Sequence, residues 1–439
     1  MTLAEVRLWG RSIGAVSLED GAEVAAFQYE PAFARSGIEI APLEMPLSDR
    51  IYGFAALPRP AFHGLPGLLA DSLPDRFGNA LIDAWLAAGG RTPESFNAVE
   101  RLCYVGARGM GALEFVPVLG PRSRQSTQLA VDALVELASR VLSSRSAVGG
   151  SLTEDHARAA LEDILKVGTS AGGARAKAII AWNPATNEVR SGQVQAPDGF
   201  GYWLLKFDGV RGNRDKELED PQGYGVIEYA YSKMARAAGL AISDCRLLEE
   251  GGRRHFMTRR FDRGPNGEKL HMQSLAALAH LDFNAAGAHG YEQAFAVIRR
   301  LGLPMAALEE QFRRMLFNVV ARNQDDHVKN IAFLMDRAGR WTLAPAFDVT
   351  YSYNPRGQWT ARHQMTVNGK RDGFGIEDLR AVAEVAGLKR GATEAVLGEV
   401  CAAVKRWPEI AVEAGVDASW RAQIASQLRL ELAEFSPRA

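Results

Sequence analysis

The stretch Asn323-Gln324-Asp325-Asp326-His327-Val328-Lys329-Asn330 sets a carboxylate, Asp325, and an amide, Asn330, five residues apart just past a long amphipathic helical pattern. This is the Asp-to-Asn spacing of a phosphoryl-transfer catalytic loop, in which the acid accepts or orients the attacking hydroxyl. A second carboxylate, Asp348, follows in Ala346-Phe347-Asp348-Val349. The residues between read as strand 331–335, turn 336–339 and strand 340–343, and a hairpin returns its two ends to the same place. The pattern therefore predicts Asn330 and Asp348 on either side of one hairpin base, each offering an oxygen to a hard cation such as Mg2+. Asp and Asn after a helix also serve as caps and turn residues. Three oxygen-bearing groups converging on one edge, however, need a cation or a reaction to offset their repulsion and desolvation, which favours chemistry. A transition-metal site of Asp325, Asp326 and His327 is disfavoured, because three consecutive residues do not readily converge on one ion.

The elements upstream supply what such a loop would need. Lys206 interrupts the apolar strand Tyr202-Trp203-Leu204-Leu205-Lys206-Phe207, where a lysine implies a phosphate or carboxylate partner unless the strand is an edge from which it snorkels. Glu228, in a helix expected over 225–238 and closed by Gly239, is a candidate partner, with Glu217 and Glu219 competing. The Gly-rich turn 168–177 holds three glycines, Thr169, Ser170, Arg175 and Lys177 and could cradle phosphates, although Ala174 after Gly173 departs from the P-loop pattern. Gly-rich turn, strand lysine, helix glutamate, catalytic Asp and Asn, metal Asp is the order of parts in protein kinases.

Stepping outward, residues 3–30 alternate as short antiparallel strands, helical patterns fall near 67–88, 129–142 and 153–165, and strands are expected at 176–182, 245–248 and 254–259. From His271 onward the pattern is helical, with Leu308, Phe312, Met315, Leu316, Val319 and Val320 forming one stripe behind Pro304. The 439 residues allow two or three packed units. With 51 basic and 52 acidic side chains there is no electrostatic excess to draw nucleic acid or an anionic membrane. Three scattered cysteines point to a reducing compartment and core thiols, and neither a signal peptide nor a membrane-spanning run is visible, so a cytoplasmic protein is expected.

Taken together, Gly168–Lys177, Leu205-Lys206, Arg260-Phe261-Asp262-Arg263, Asp325–Asn330 and Phe347-Asp348 resemble the HipA family of bacterial toxin Ser/Thr kinases, in the same order and over nearly the full length. The resemblance implies an α+β, protein-kinase-like two-lobed fold: an N-terminal β-rich subdomain over 1–120 that contacts an antitoxin, a sheet-based nucleotide lobe over 121–262, and a helical C-lobe over 263–439. It implies ATP and Mg2+ as cofactors, Asp325 as the catalytic aspartate, and Asn330 and Asp348 as metal ligands. ATP contacts are implied for Ser170, Gly172, Gly173, Lys206, Arg259, Phe261 and Lys329, with the 259–261 linker and the Phe261 ring holding adenine. Ser170, with Thr169 second, is the implied autophosphorylation site; adding about two negative charges to a turn shaped for phosphates would silence it. The implied partners are a HipB-like helix-turn-helix antitoxin, DNA only through that antitoxin, and a protein target, an aminoacyl-tRNA synthetase in the family's best-known member, whose phosphorylation promotes persistence. The chain departs from that member at Asp326, where the latter has glycine. Two other readings remain: a small-molecule kinase, and a non-catalytic corepressor partner of a DNA-binding antitoxin.

Overall fold

Ala4, Val6 and Leu8 are buried while Glu5 and Arg7 between them are not, the period-two alternation that makes Thr2–Leu8 a strand with one face on a core. It pairs antiparallel with Arg11–Leu18 on one side and Leu113–Val116 on the other. A five-stranded sheet results, in the order Ile51–Tyr52, Ala26–Tyr29, Arg11–Leu18, Thr2–Leu8, Leu113–Val116. These and the following elements come from a computed structural model that describes residues 1–120, 128–144, 175–210, 214–215, 218–219, 222–264 and 266–435. They divide into two compact units, one of residues 1–222, 246–273 and 335–339, the other of 223–245, 274–334 and 340–439.

The first unit holds a second five-stranded sheet, ordered Cys245–Glu250, Arg253–Arg259, Gly201–Lys206, Lys177–Asn183, Glu188–Ser191. Its buried face shares one core with the helices Arg76–Ala88 and Val131–Ser144, through Phe77, Leu81, Leu134, Ala138, Ile180, Leu205 and Met257. The expected helical pattern near 67–88 is broken into Gly67–Ala70 and Arg76–Ala88, because Asp75 accepts the Gly78 N–H and starts a new helix there. The helix expected over 153–165 lies outside the described residues.

The second unit is built on helices, chiefly Tyr224–Ala237, Tyr291–Arg300, Met305–Val320, Ile376–Val385, Ala392–Lys405, Trp407–Ala414 and Ala418–Ala425. The stripe read from the sequence is its centre: Phe312, Met315, Leu316, Val319 and Val320 are fully buried. Pro304 stands as the cap of that helix rather than its first residue. Tyr231 packs edge-on against Trp407 and donates its hydroxyl to the Ala321 carbonyl at 2.8 Å, fixing where the helix Met305–Val320 ends. The expected hairpin is present as Ala332–Met335 and Trp341–Leu343, with the Ala344 N–H on the Ala332 carbonyl. Mixed helix and sheet, the chain is the α+β protein its sequence predicts. No helix among the described residues is long and apolar enough to cross a membrane.

Candidate active site

Arg322, in left-handed backbone at φ +57°, turns the chain out of the helix Met305–Val320, and its guanidinium is anchored on the Gln427 carbonyl. Asn323 closes the turn by donating to both the backbone and the side-chain oxygen of Asn318. From there the loop runs extended, and successive side chains fall on opposite sides. Gln324, Asp326 and Val328 are buried; Asp325 and His327 are half-buried. Neighbouring aspartates thus have different environments.

Asp326 points into the core, where Tyr291 Oη at 2.7 Å, the His363 ring at 2.8 Å and the Gln364 backbone N–H at 2.8 Å converge on it. Burial alone would raise its pKa, but His363, Tyr291 and Gln364 outweigh that and hold the carboxyl below its ordinary range. Arg429 donates to His363 Nε2 from 3.0 Å and can only donate, so that nitrogen accepts and the ring proton sits on Nδ1 toward Asp326. Asp326 is a structural anchor of the loop.

Asp325 faces the other way. Trp359 Nε1 donates to its Oδ1 from 2.6 Å, and His327 Nε2 lies 4.0 Å from the same oxygen. Asn330 closes the short turn Val328–Asn330 and donates its Nδ2 to the Asp325 carbonyl at 2.8 Å. A backbone carbonyl accepts only, so this bond identifies the amide nitrogen and leaves Asn330 Oδ1 as the atom available to a cation. Lys329 places its ammonium over the Phe283 ring, 4.8 Å from the centroid.

The stretch carrying Asp348 is pinned at both ends, by the Ala346 N–H on the Ala241 carbonyl at 2.7 Å and the Ser352 N–H on the Arg322 carbonyl at 3.1 Å. Asp348 itself adopts left-handed backbone, φ +52°, a conformation that costs a non-glycine residue about 1–3 kcal/mol and is concentrated at functional positions. Ala346, Phe347 and Val349 line one cavity with Asn323, Asp326, His327, Asn330 and Ile331, while neither Asp325 nor Asp348 is among its lining residues. Oxygen donors from an amide and a carboxylate suit Mg2+, which fills its remaining positions with water and phosphate oxygens. Among the described residues no group of three or more His, Cys, Asp or Glu is placed to hold a metal, so any cation here would rest on this smaller set.

In the first unit, Lys206 lies on the middle strand of its sheet and is buried, which removes the edge-strand account of it; its ammonium faces the Phe256 ring at 5.7 Å. Directly across the ladder stands Lys177, whose ammonium pairs with Asp75 at 3.0 Å, both buried. Lys177, read from the sequence as a phosphate cation, therefore has a carboxylate partner within the fold. Arg259 is exposed at the end of its strand, and the Arg260 N–H is held by the Tyr202 carbonyl. Glu228 is buried in the helix Tyr224–Ala237 of the second unit. Thr169, Ser170, Gly172, Gly173 and the competing Glu217 lie outside the described residues, as does the side-chain environment of Glu219.

Two family matches cover most of the chain: the HipA N-terminal domain over residues 4–116 and the HipA-like C-terminal domain over residues 169–407. The chain belongs to the HipA family. Its fold is similar to that of Shewanella oneidensis MR-1 HipA, solved with HipB and operator DNA, at a TM-score of 0.66 over 99% of this chain and 96% of that one, with 18% identity. The Helicobacter pylori proinflammatory kinase CtkA is matched over 53% of this chain and 89% of its own, at 12% identity and a TM-score of 0.35, too low to support an argument about fold. No curated protein gives a significant match. For a HipA-family chain, the residues that reading the sequence missed are Trp359, Tyr291, His363 and Gln364. A tryptophan directly after the turn-rich run Asn354-Pro355-Arg356-Gly357-Gln358 was the one available signal, since such a loop has little core of its own to bury it.

Proposed function

We propose that this chain is a Ser/Thr protein kinase, the toxin of a HipA/HipB-like toxin-antitoxin module in the cytoplasm. The supporting observation is the Asn330-to-Asp325 bond: it uses the amide nitrogen and leaves the oxygen as the atom to meet a cation. In this reading Asp325 takes the proton of a protein hydroxyl as its oxygen captures the ATP γ-phosphoryl and ADP leaves. Asn330 and Asp348 would hold Mg2+, which when bound neutralises phosphate charge. Lys206, with Glu228 as its partner, would contact the phosphates; Gly172, Gly173, Ser170 and Lys329 would line the nucleotide site, and 259–261 would hold adenine. Ser170, with Thr169 second, would be the residue the kinase modifies on itself.

The three-part division 1–120, 121–262 and 263–439 belongs to the same reading, with the first part docking a helix-turn-helix antitoxin that carries the contact with DNA. The protein target would be of the class of aminoacyl-tRNA synthetases. Purified chain incubated with labelled ATP and Mg2+ should label itself, and Asp325→Asn should lower that rate by about 10^2 to 10^4. Equal labelling by the variant would overturn the reading; labelling of small molecules but of no protein in a lysate would favour a small-molecule kinase.

A further inference from the structure

The chain that follows Asp348 returns to the catalytic loop and is tied to both of its adjacent aspartates. Trp359 Nε1 donates to Asp325 Oδ1 at 2.6 Å, while the His363 ring and the Gln364 N–H hold Asp326 at 2.8 Å each. The Gln364 side-chain amide donates in turn to the Trp359 carbonyl, so the residue carrying the indole is held from the Asp326 side as well. Trp359 is half-buried, and neither family match nor catalytic motif gives it a role.

An aspartate carboxylate has a broad terminal torsion, and nothing in the chain direction fixes which oxygen faces a substrate. A directional donor on Oδ1 restrains the carboxylate plane. Indole suits this task because its N–H donates and cannot accept, so it cannot compete for the proton that Asp325 takes. A hydrogen bond onto an ionised acceptor is also about twice as strong as a neutral one. We propose that Trp359 is a positioning residue for Asp325: its indole N–H holds in place the carboxylate that takes the proton of the substrate hydroxyl. This rests on the kinase reading above. During transfer the hydroxyl proton passes to Asp325, the hydroxyl oxygen bonds to phosphorus, the bond from phosphorus to the bridging oxygen of ADP breaks, and the indole keeps its own proton.

The test measures autophosphorylation rates of the full chain against ATP concentration, with Mg2+, for wild type, Trp359→Phe and Trp359→His. Phe keeps an aromatic ring without the N–H, whereas His restores a ring N–H. Trp359→Phe should lose about 10- to 100-fold in kcat, the range for a hydrogen bond to a charged group. Its KM for ATP and its melting temperature should stay near those of wild type, and Trp359→His should recover part of the rate. Wild-type kcat in the Phe variant, equal losses in both variants, or a loss carried by KM would each overturn the assignment while the kinase reading stands. A wild-type chain with no phosphoryl transfer would instead sink the kinase reading, and this one with it.

Discussion

Two buried carboxylates, Asp262 in the first unit and Asp326 in the second, are held by opposite means. In the first, Asp262 meets Arg260 at 2.6 Å and Arg263 at 2.7 Å, both nearly buried, and accepts the Gly111 N–H. The same two arginines donate to the Gly109 carbonyl, so the knot fastens the segment after Arg253–Arg259 to the loop before Leu113–Val116. In the second unit, Asp326 is held by a phenol, an imidazole N–H and a backbone amide. Ion pairing leaves full charges behind when a partner is lost; uncharged donors leave only unmet hydrogen bonds. The first knot is therefore the more brittle of the two.

The largest effect should come from Asp262→Ala, which strands two buried guanidiniums and should cost about 3–5 kcal/mol in a denaturant melt. Burial has already drawn Arg263 down to about 10, which still leaves it charged at neutral pH. A variant as stable as wild type would show that the arginines find water or other partners. Asp326→Ala should cost less, about 1–3 kcal/mol, and should also reduce phosphoryl transfer because the loop bearing Asp325 loses its anchor. Stability lost with full activity retained would separate the two roles.

The smallest effect is in pH dependence. Both carboxyls are depressed in the fold, Asp262 against burial by Arg260 and Arg263, and Asp326 against burial by His363, Tyr291 and Gln364. The unfolded chain therefore binds their protons first as pH falls. Their contribution is complete above the ordinary aspartate range, near pH 4, and fades as pH drops through the depressed folded values. Each alanine variant should flatten the stability curve in that acid window, Asp262→Ala more than Asp326→Ala; parallel curves would contradict the assignment.

Much of this was legible in the residues. The hairpin, the helix stripe Phe312 to Val320 and the alternation of Thr2–Leu8 follow from periodicity, which depends on burial of one face and needs no distant partner. The contact of Asn330 with Asp325 was within reach of the sequence too, because the two lie within one turn. The partners of Asp326 and Asp262 could not be read, since His363 and Gly111 approach them across 37 and 151 residues of chain. The carboxylate beside Lys177 was hidden for the same reason: Asp75 precedes a helix about a hundred residues earlier. Local pattern reports which face is buried, and only tertiary packing decides which charge answers which.

Arg429 donates to His363 Nε2 and to the Val319 carbonyl, and pairs with Asp372, while its backbone N–H is held by the Val320 carbonyl. Arg429 is thus a keystone behind the loop that carries Asp325, reached through one imidazole. Removing that guanidinium should loosen the imidazole and, through it, the carboxylate that anchors the loop.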